Sequence, residues 1–222
     1  MKFVKCFLIA ILFFGIFSCS KETEKPKYVE WRQLTKEQAE EIDKKELKSL
    51  LDHKDEFIKG LKNPDSRKRC ESMAAIRDLN LKEAIPHVID VALNDSDEKV
   101  FKSAVSALAV IGDERAIPVM LKGIESNDIW VRRVAADKLA ELRRKEGIKG
   151  LIELLDSGND FEVKNALSSL KRFTKKDFGT YSHLQNIPGQ PASVTDLEKL
   201  KEVIARWKQW WKEEGDKFEF PK

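Results

Sequence analysis

Cysteine and histidine are both scarce in this 222-residue chain, with three of each: Cys6, Cys19 and Cys70, and His53, His87 and His183. No two of them stand at a metal-ligand spacing, alone or with acidic residues, so neither a metal nor any other cofactor is expected. The 10 glycines are scattered and build no phosphate-cradling loop, and no nucleophile elbow or Ser/His/Asp order can be read. "DFG" at 177–179 lacks the Gly-rich loop, strand lysine and catalytic-loop motif that would make it a kinase signature. With no motif supporting chemistry, the chain is expected not to be an enzyme and to have no small-molecule substrate. An excess of one charge is also lacking. The chain carries 41 Lys and Arg against 38 Asp and Glu, which gives no electrostatic reason to expect nucleic acid.

Long apolar runs are missing too. The longest extends from Cys6 to Phe17, behind Lys2 and Lys5 and ahead of Ser18 and Cys19. A spanning helix needs about 20 apolar residues, whereas about 7–15 suit the core of a secretory signal. The stretch "IFSC", Ile16 to Cys19, resembles the lipobox of bacterial lipoproteins, although Phe17 departs from the small or aliphatic residue usual there. That resemblance implies diacylglycerol transfer to the Cys19 sulfur, cleavage before it and acylation of the new N-terminus. The expected layout is a signal peptide over 1–18 and a lipidated cysteine with a polar tether over 19–34, at a bacterial cell envelope. Ser20 points to the outer membrane by analogy with enteric bacteria. Cys6 would leave with the signal and Cys19 would be a thioether, so Cys70 would remain alone and no intramolecular disulfide could form.

What is present is a repeat. At a period of about 31 to 32 residues, "DSRKRCESMAAIRDLNLKEAIP" from 65 superimposes on "DEKVFKSAVSALAVIGDERAIP" from 97, "DIWVRRVAADKLAELRRKEGIK" from 128 and "DFEVKNALSSLKRFT" from 160. Asp65, Asp97, Asp128 and Asp160 precede the helical pattern, where a carboxylate accepts from orphan N–H groups and meets the positive end of the helix dipole. They are expected to be helix caps rather than acid/base pairs. Val100, Val131 and Val163 follow three residues later, then Ile76, Leu108 and Leu139, in the stripe of an amphipathic helix. After a short turn, Ile85–Pro86 and Ile117–Pro118 open a second helix, proline losing no bond in a first turn.

Each unit is thus helix, turn, helix, loop, and "DEKVFKSAVSALAVIGDERAIPVMLKGI" resembles the HEAT-like repeats that stack as α-solenoids. The resemblance implies an all-α fold, a right-handed α-solenoid of HEAT-like hairpins over 35–174, opened by a helical stretch whose Thr35 and Gln38 form a capping-box pair. A loop rich in Gly, Pro and polar residues follows over 175–194, then a capping helix and tail over 195–222. That last helix, opened by the pair Thr195 and Glu198, aligns Leu197, Leu200, Val203, Ile204, Trp207, Trp210 and Trp211 on one face. The tryptophans are expected to be the packing face of a C-terminal cap. In the densest basic stretch, 131–145, the resemblance to HEAT-like repeats implies that Arg132 and Arg133 can pair with the Asp column of a neighbouring unit, and a solvated or intra-repeat salt-bridge role is expected for the stretch rather than phosphate or lipid-headgroup binding.

The function expected from these features is a membrane-anchored scaffold that binds another protein of the envelope. Its contacts would be polar positions of the second helices: His87, Asp90, Lys122, Glu125 and Glu153. The alternative is an enzyme or enzyme subunit by analogy with the bilin lyases that share HEAT-like repeats, or a surface-exposed structural or host-contact lipoprotein.

Overall fold

The computed structural model describes residues 53–179 and 194–221, with Lys44 and Lys48 as helical positions before them. The segment 1–34, Cys19 included, and the pair Thr35 and Gln38 lie outside the described residues. So do positions 180–193 and the Thr195 side chain. The chain divides into two units, Met1–His53 and Lys54–Lys222. The second unit holds every helix discussed below, and no strand occurs among the described residues.

In chain order the helices are α1 (Lys54–Gly60), α2 (Ser66–Asp78), α3 (Ile85–Asn94), α4 (Glu98–Ile111) and α5 (Ile117–Gly123). They continue with α6 (Ile129–Glu141), α7 (Lys145–Glu153), α8 (Asp160–Thr174) and α9 (Val194–Glu214). First helices α2, α4, α6 and α8 pack on one another in sequence; α5 and α7 each pack between the first helix of their own unit and that of the next, and α3 packs on α4, the first helix of the next unit. Such a stack is the α-solenoid of the repeat pattern, each unit burying a stripe that alone would face water. Ile76, Leu108 and Leu139 occupy equivalent positions at the stack's centre and are all fully buried, as are Val100 and Val131.

Local chemistry sets each helix start. The side chains of Asp65, Asp97 and Asp128 accept from the backbone N–H of Arg67, Lys99 and Val131, at 2.9, 2.8 and 3.1 Å. At the fourth unit the cap is Asn159, whose Oδ1 accepts from Glu162 N at 3.1 Å, while Asp160 is the first helical residue. This corrects the expected cap by one position. The reason lies in the loop, where the side chain two residues before each cap accepts the cap's own N–H. Asn63, Asp95, Ser126 and Ser157 do this for Asp65, Asp97, Asp128 and Asn159 respectively. Asp160, as first helical residue, still favours the dipole.

The first helices also end alike. Asn80, Gly112, Arg143 and Lys175, again 31 to 32 residues apart, all lie in the left-handed region, with φ of 52°, 74°, 57° and 59°. Glycine and asparagine suit that conformation; Arg143 and Lys175 adopt it at a cost. The third unit has the shortest turn, and Gly147 brings α7 directly onto α6. A Cβ there would stand 2.3 Å from Ala140 N and 2.6 Å from Ala136 O, with no flexible side chain to yield.

Among the described residues, no second helix of the fourth unit stands between α8 and α9. Instead α9 packs against α7. Trp207 and Trp210, 1% and 5% exposed, join Ile148, Leu151, Leu154, Leu167 and Leu170 in one cluster, while Trp211 is half-buried. Phe178 meets Trp207 edge-on at 4.8 Å between centroids, and Phe218 meets Trp210 likewise at 5.6 Å.

Candidate partner-binding surface

The five polar positions singled out on the second helices are all exposed, but they do not act alike. His87 and Asp90 lie on α3, Lys122 in the last turn of α5, Glu125 just beyond it, and Glu153 at the end of α7. Asp90 accepts from Asn94 Nδ2 at 2.9 Å, and Glu153 pairs at 3.8 Å with Lys149, one turn back. Lys122 reaches across to the preceding unit. Its Nζ donates to the carbonyls of Ala92 and Leu93 at 3.2 Å each and lies 5.0 Å from the Phe101 ring centroid. Carbonyls at a helix end carry partial negative charge, so this lysine closes the end of α3 and staples two units together. His87, Asp90, Glu125 and Glu153 are exposed on or just beyond the second helices, and Lys122 braces one unit against the next.

The contacts of the basic stretch are partly within one repeat, as expected, and do not reach the Asp column. Arg132 donates to the carbonyls of Ser126 and Asn127, 2.8 and 3.2 Å away in its own loop. Arg133 contacts Glu162 of the next unit at 2.5 Å, an ion pair without an aligned hydrogen bond, and Asp137 at 3.2 Å on its own helix. Neither arginine meets the Asp column. That column is met by Lys102, 2.7 Å from Asp128, and by the Ser66 side chain, which bonds Asp97. Arg69 also bridges units, bound to Asp95 through two nitrogens at 2.7 and 3.0 Å.

These bonds lower the acids' affinity for protons. Asp65 titrates below its ordinary range because of the Arg67 side chain first and the Arg67 N–H second. For Asp97 the Ser66 side chain contributes most. At Asp128 burial pushes upward, and the Lys102 bond with the Val131 N–H outweighs it. Asp113, in the turn between α4 and α5, goes furthest, to about 2, chiefly through the Arg115 side chain.

The turn of the third unit has a separate task. Arg143 donates to the carbonyls of Phe220 and Pro221 at 2.8 and 3.0 Å, and its guanidinium lies 5.7 Å from the Phe220 centroid. Lys145 donates to Asp216 O at 2.8 Å. Two cations of the basic stretch therefore clamp the C-terminal tail. No local sequence signal shows this, because the partners are more than 70 residues apart.

Among the described residues, no group of three or more His, Cys, Asp or Glu could hold a metal, and no helix is long and apolar enough to cross a membrane. The stacked hairpins and their capped starts define a repeat-built, all-helical solenoid protein. The family model for HEAT repeats matches residues 55–128 and 85–171, just over half of the chain, and the chain belongs to that family.

Its relatives sharpen the picture. Phycocyanobilin lyase subunit alpha of Nostoc sp. (strain PCC 7120) is 37% identical over 57 residues, 26% of this chain and 21% of that protein. The chain thus matches about a fifth of the length of that curated relative. Among solved structures, the complex of CpcE and CpcF of phycocyanin lyase from Nostoc sp. PCC7120 is similar at a TM-score of 0.44 and 20% identity, covering 86% of this chain and 69% of that one. An engineered protein is similar at a TM-score of 0.41 and 23% identity, over 74% and 84%. The stretch shared with a lyase subunit overturns the expectation that the chain is not an enzyme, which rested only on missing motifs. HEAT repeats present function on surfaces, where no motif signals it.

Proposed function

We propose that this chain is the HEAT-repeat subunit of a lyase-type assembly, in which the second-helix row binds a protein partner and the assembly handles a bilin. The observation that carries this reading is the 37% identity over 57 residues to a phycocyanobilin lyase subunit. The exposed row of His87, Asp90, Glu125 and Glu153 supports a partner-binding role, being charged and polar without being consumed by the fold. The test is titration of the purified chain with phycocyanobilin, alone and with the protein that copurifies with it. A red or blue shift of the visible bilin band that saturates at one equivalent is expected; an unchanged spectrum in both samples would overturn the bilin part of the proposal. Partner binding is checked separately. Asp90→Lys with Glu153→Lys should weaken it about tenfold or more, since like charges across an interface cost affinity.

A second reading is favoured by the stretch "IFSC". In it the same subunit is held at a bacterial envelope membrane by acyl chains on Cys19, each buried CH₂ contributing about 0.8 kcal/mol. Mass spectrometry of the mature N-terminus decides it: a diacylated Cys19 is expected, and an unmodified Cys19 or a start elsewhere would remove the tether.

A further inference from the structure

On the first-helix row, away from the polar positions discussed above, α2, α4 and the start of α6 enclose an open cavity of about 320 Å³. That volume is at the small end of about 300–1,000 Å³ for ligand sites. Its charged lining is all of one sign: Arg77 from α2, Lys99 and Lys102 from α4. In a chain with 41 basic and 38 acidic residues, three cations with no carboxylate in the lining depart from the average. The rest of the wall is mainly apolar and includes the Trp130 indole, with Cys70 and Ser106 beside it.

Two carboxylates stand next to these cations. Asp78 accepts from Arg77 Nε at 2.8 Å, and Asp128 accepts from Lys102 Nζ at 2.7 Å. Each takes one N–H of its partner, while a guanidinium has five and an ammonium three. Arg77 is further oriented by Ser106 Oγ at 3.4 Å. Lys102 Nζ lies 5.0 Å from the Trp130 centroid, so a cationic head and an aromatic face are presented together. An inorganic anion would leave the apolar wall unused, and a nucleic acid would need a longer basic track than one pocket.

We infer that this groove is a binding site for a small organic anion with a flat apolar body. The ring system lies on the Trp130 side, and its carboxylate or sulfonate meets Arg77, Lys99 and Lys102. A bilin carboxylate would itself fall in this ligand class, so the test uses 2-naphthoate and a readout at Cys70, and either proposal can fail while the other stands.

Cys70 provides the probe, being half-buried in the same wall. The full-length protein is treated with iodoacetamide, and alkylation of Cys70 is followed by peptide mass spectrometry, which separates it from Cys6 and Cys19. Added 2-naphthoate should slow the reaction saturably, while 2-naphthamide, its neutral analogue, and inorganic phosphate should leave it unchanged. In Lys99→Ala with Lys102→Ala the naphthoate concentration giving half protection should rise about tenfold or more. Lys149→Ala, on the second-helix row, should match the wild type. No protection by naphthoate, equal protection by the amide, or an unchanged half-protection concentration in the double variant would each overturn the site.

Discussion

Gly147 shows most directly how one residue sets the packing. Its missing Cβ lets α7 rest on the backbone of α6, with Ala140 N 2.3 Å from where that atom would be. Gly147→Ala should therefore cost about 1–3 kcal/mol or more by forcing the two helices apart. Gly158→Ala is the control, since its Cβ would meet nothing within 4 Å and only its φ of +68° opposes the change, at about 1–2 kcal/mol. Equal urea midpoints for the two variants would show that the close approach does not limit stability. Asp113 makes the matching case for charge. Its folded pKa, about 2 against an ordinary 3.8, is depressed, so its contribution is fully present above pH 3.8 and is lost as pH falls from there to about 2. Asp113→Asn should lower the midpoint at neutral pH and flatten its fall across that window. A variant as acid-sensitive as the wild type would assign the pH dependence to other acids.

At the scale of elements, α9 shows how burial sorts residues that look alike in sequence. All three tryptophans lie on its apolar stripe, yet Trp207 is 1% exposed and Trp210 5%, whereas Trp211 is half-buried against Gly215. Trp207→Ala should cost about 3–5 kcal/mol, because it would leave an indole-sized void in the cluster with Ile148, Leu151 and Leu170. Trp211→Ala should cost less, its site being open to water on one side. Thermal melts of the two variants check the order, and a larger loss at Trp211 would contradict the packing described. Helix periodicity made this stripe legible, and the same logic located the first three caps. It misplaced the fourth, because two neighbouring residues, Asn159 and Asp160, can both cap and only the loop's own hydrogen bond selects between them.

For the whole molecule the controlling fact is that a stack of hairpins has ends. Deleting residues 194–222 would strip the cluster containing Ile148, Leu151, Leu154 and Leu170 of both buried tryptophans and Phe218. Uncapped repeats associate through such surfaces. The truncated protein should therefore form oligomers by light scattering and lose its cooperative melt, and a monomer with an unchanged melt would show that α9 is not the cap.

The repeat frame was determined by sequence alone, since every unit must solve one problem, burying a stripe and satisfying helix ends, with residues recurring every 31 to 32 positions. The aspartate caps, the buried valine and leucine columns and the terminal tryptophans all follow from local periodicity. Tertiary structure alone decided which charges meet. Arg143 reaches Phe220, Lys122 closes the end of α3, Arg133 chooses Glu162, and Arg77, Lys99 and Lys102 converge beside Trp130. Long side chains from separate turns find partners only once the stack places them in reach, and no spacing along the chain encodes that distance.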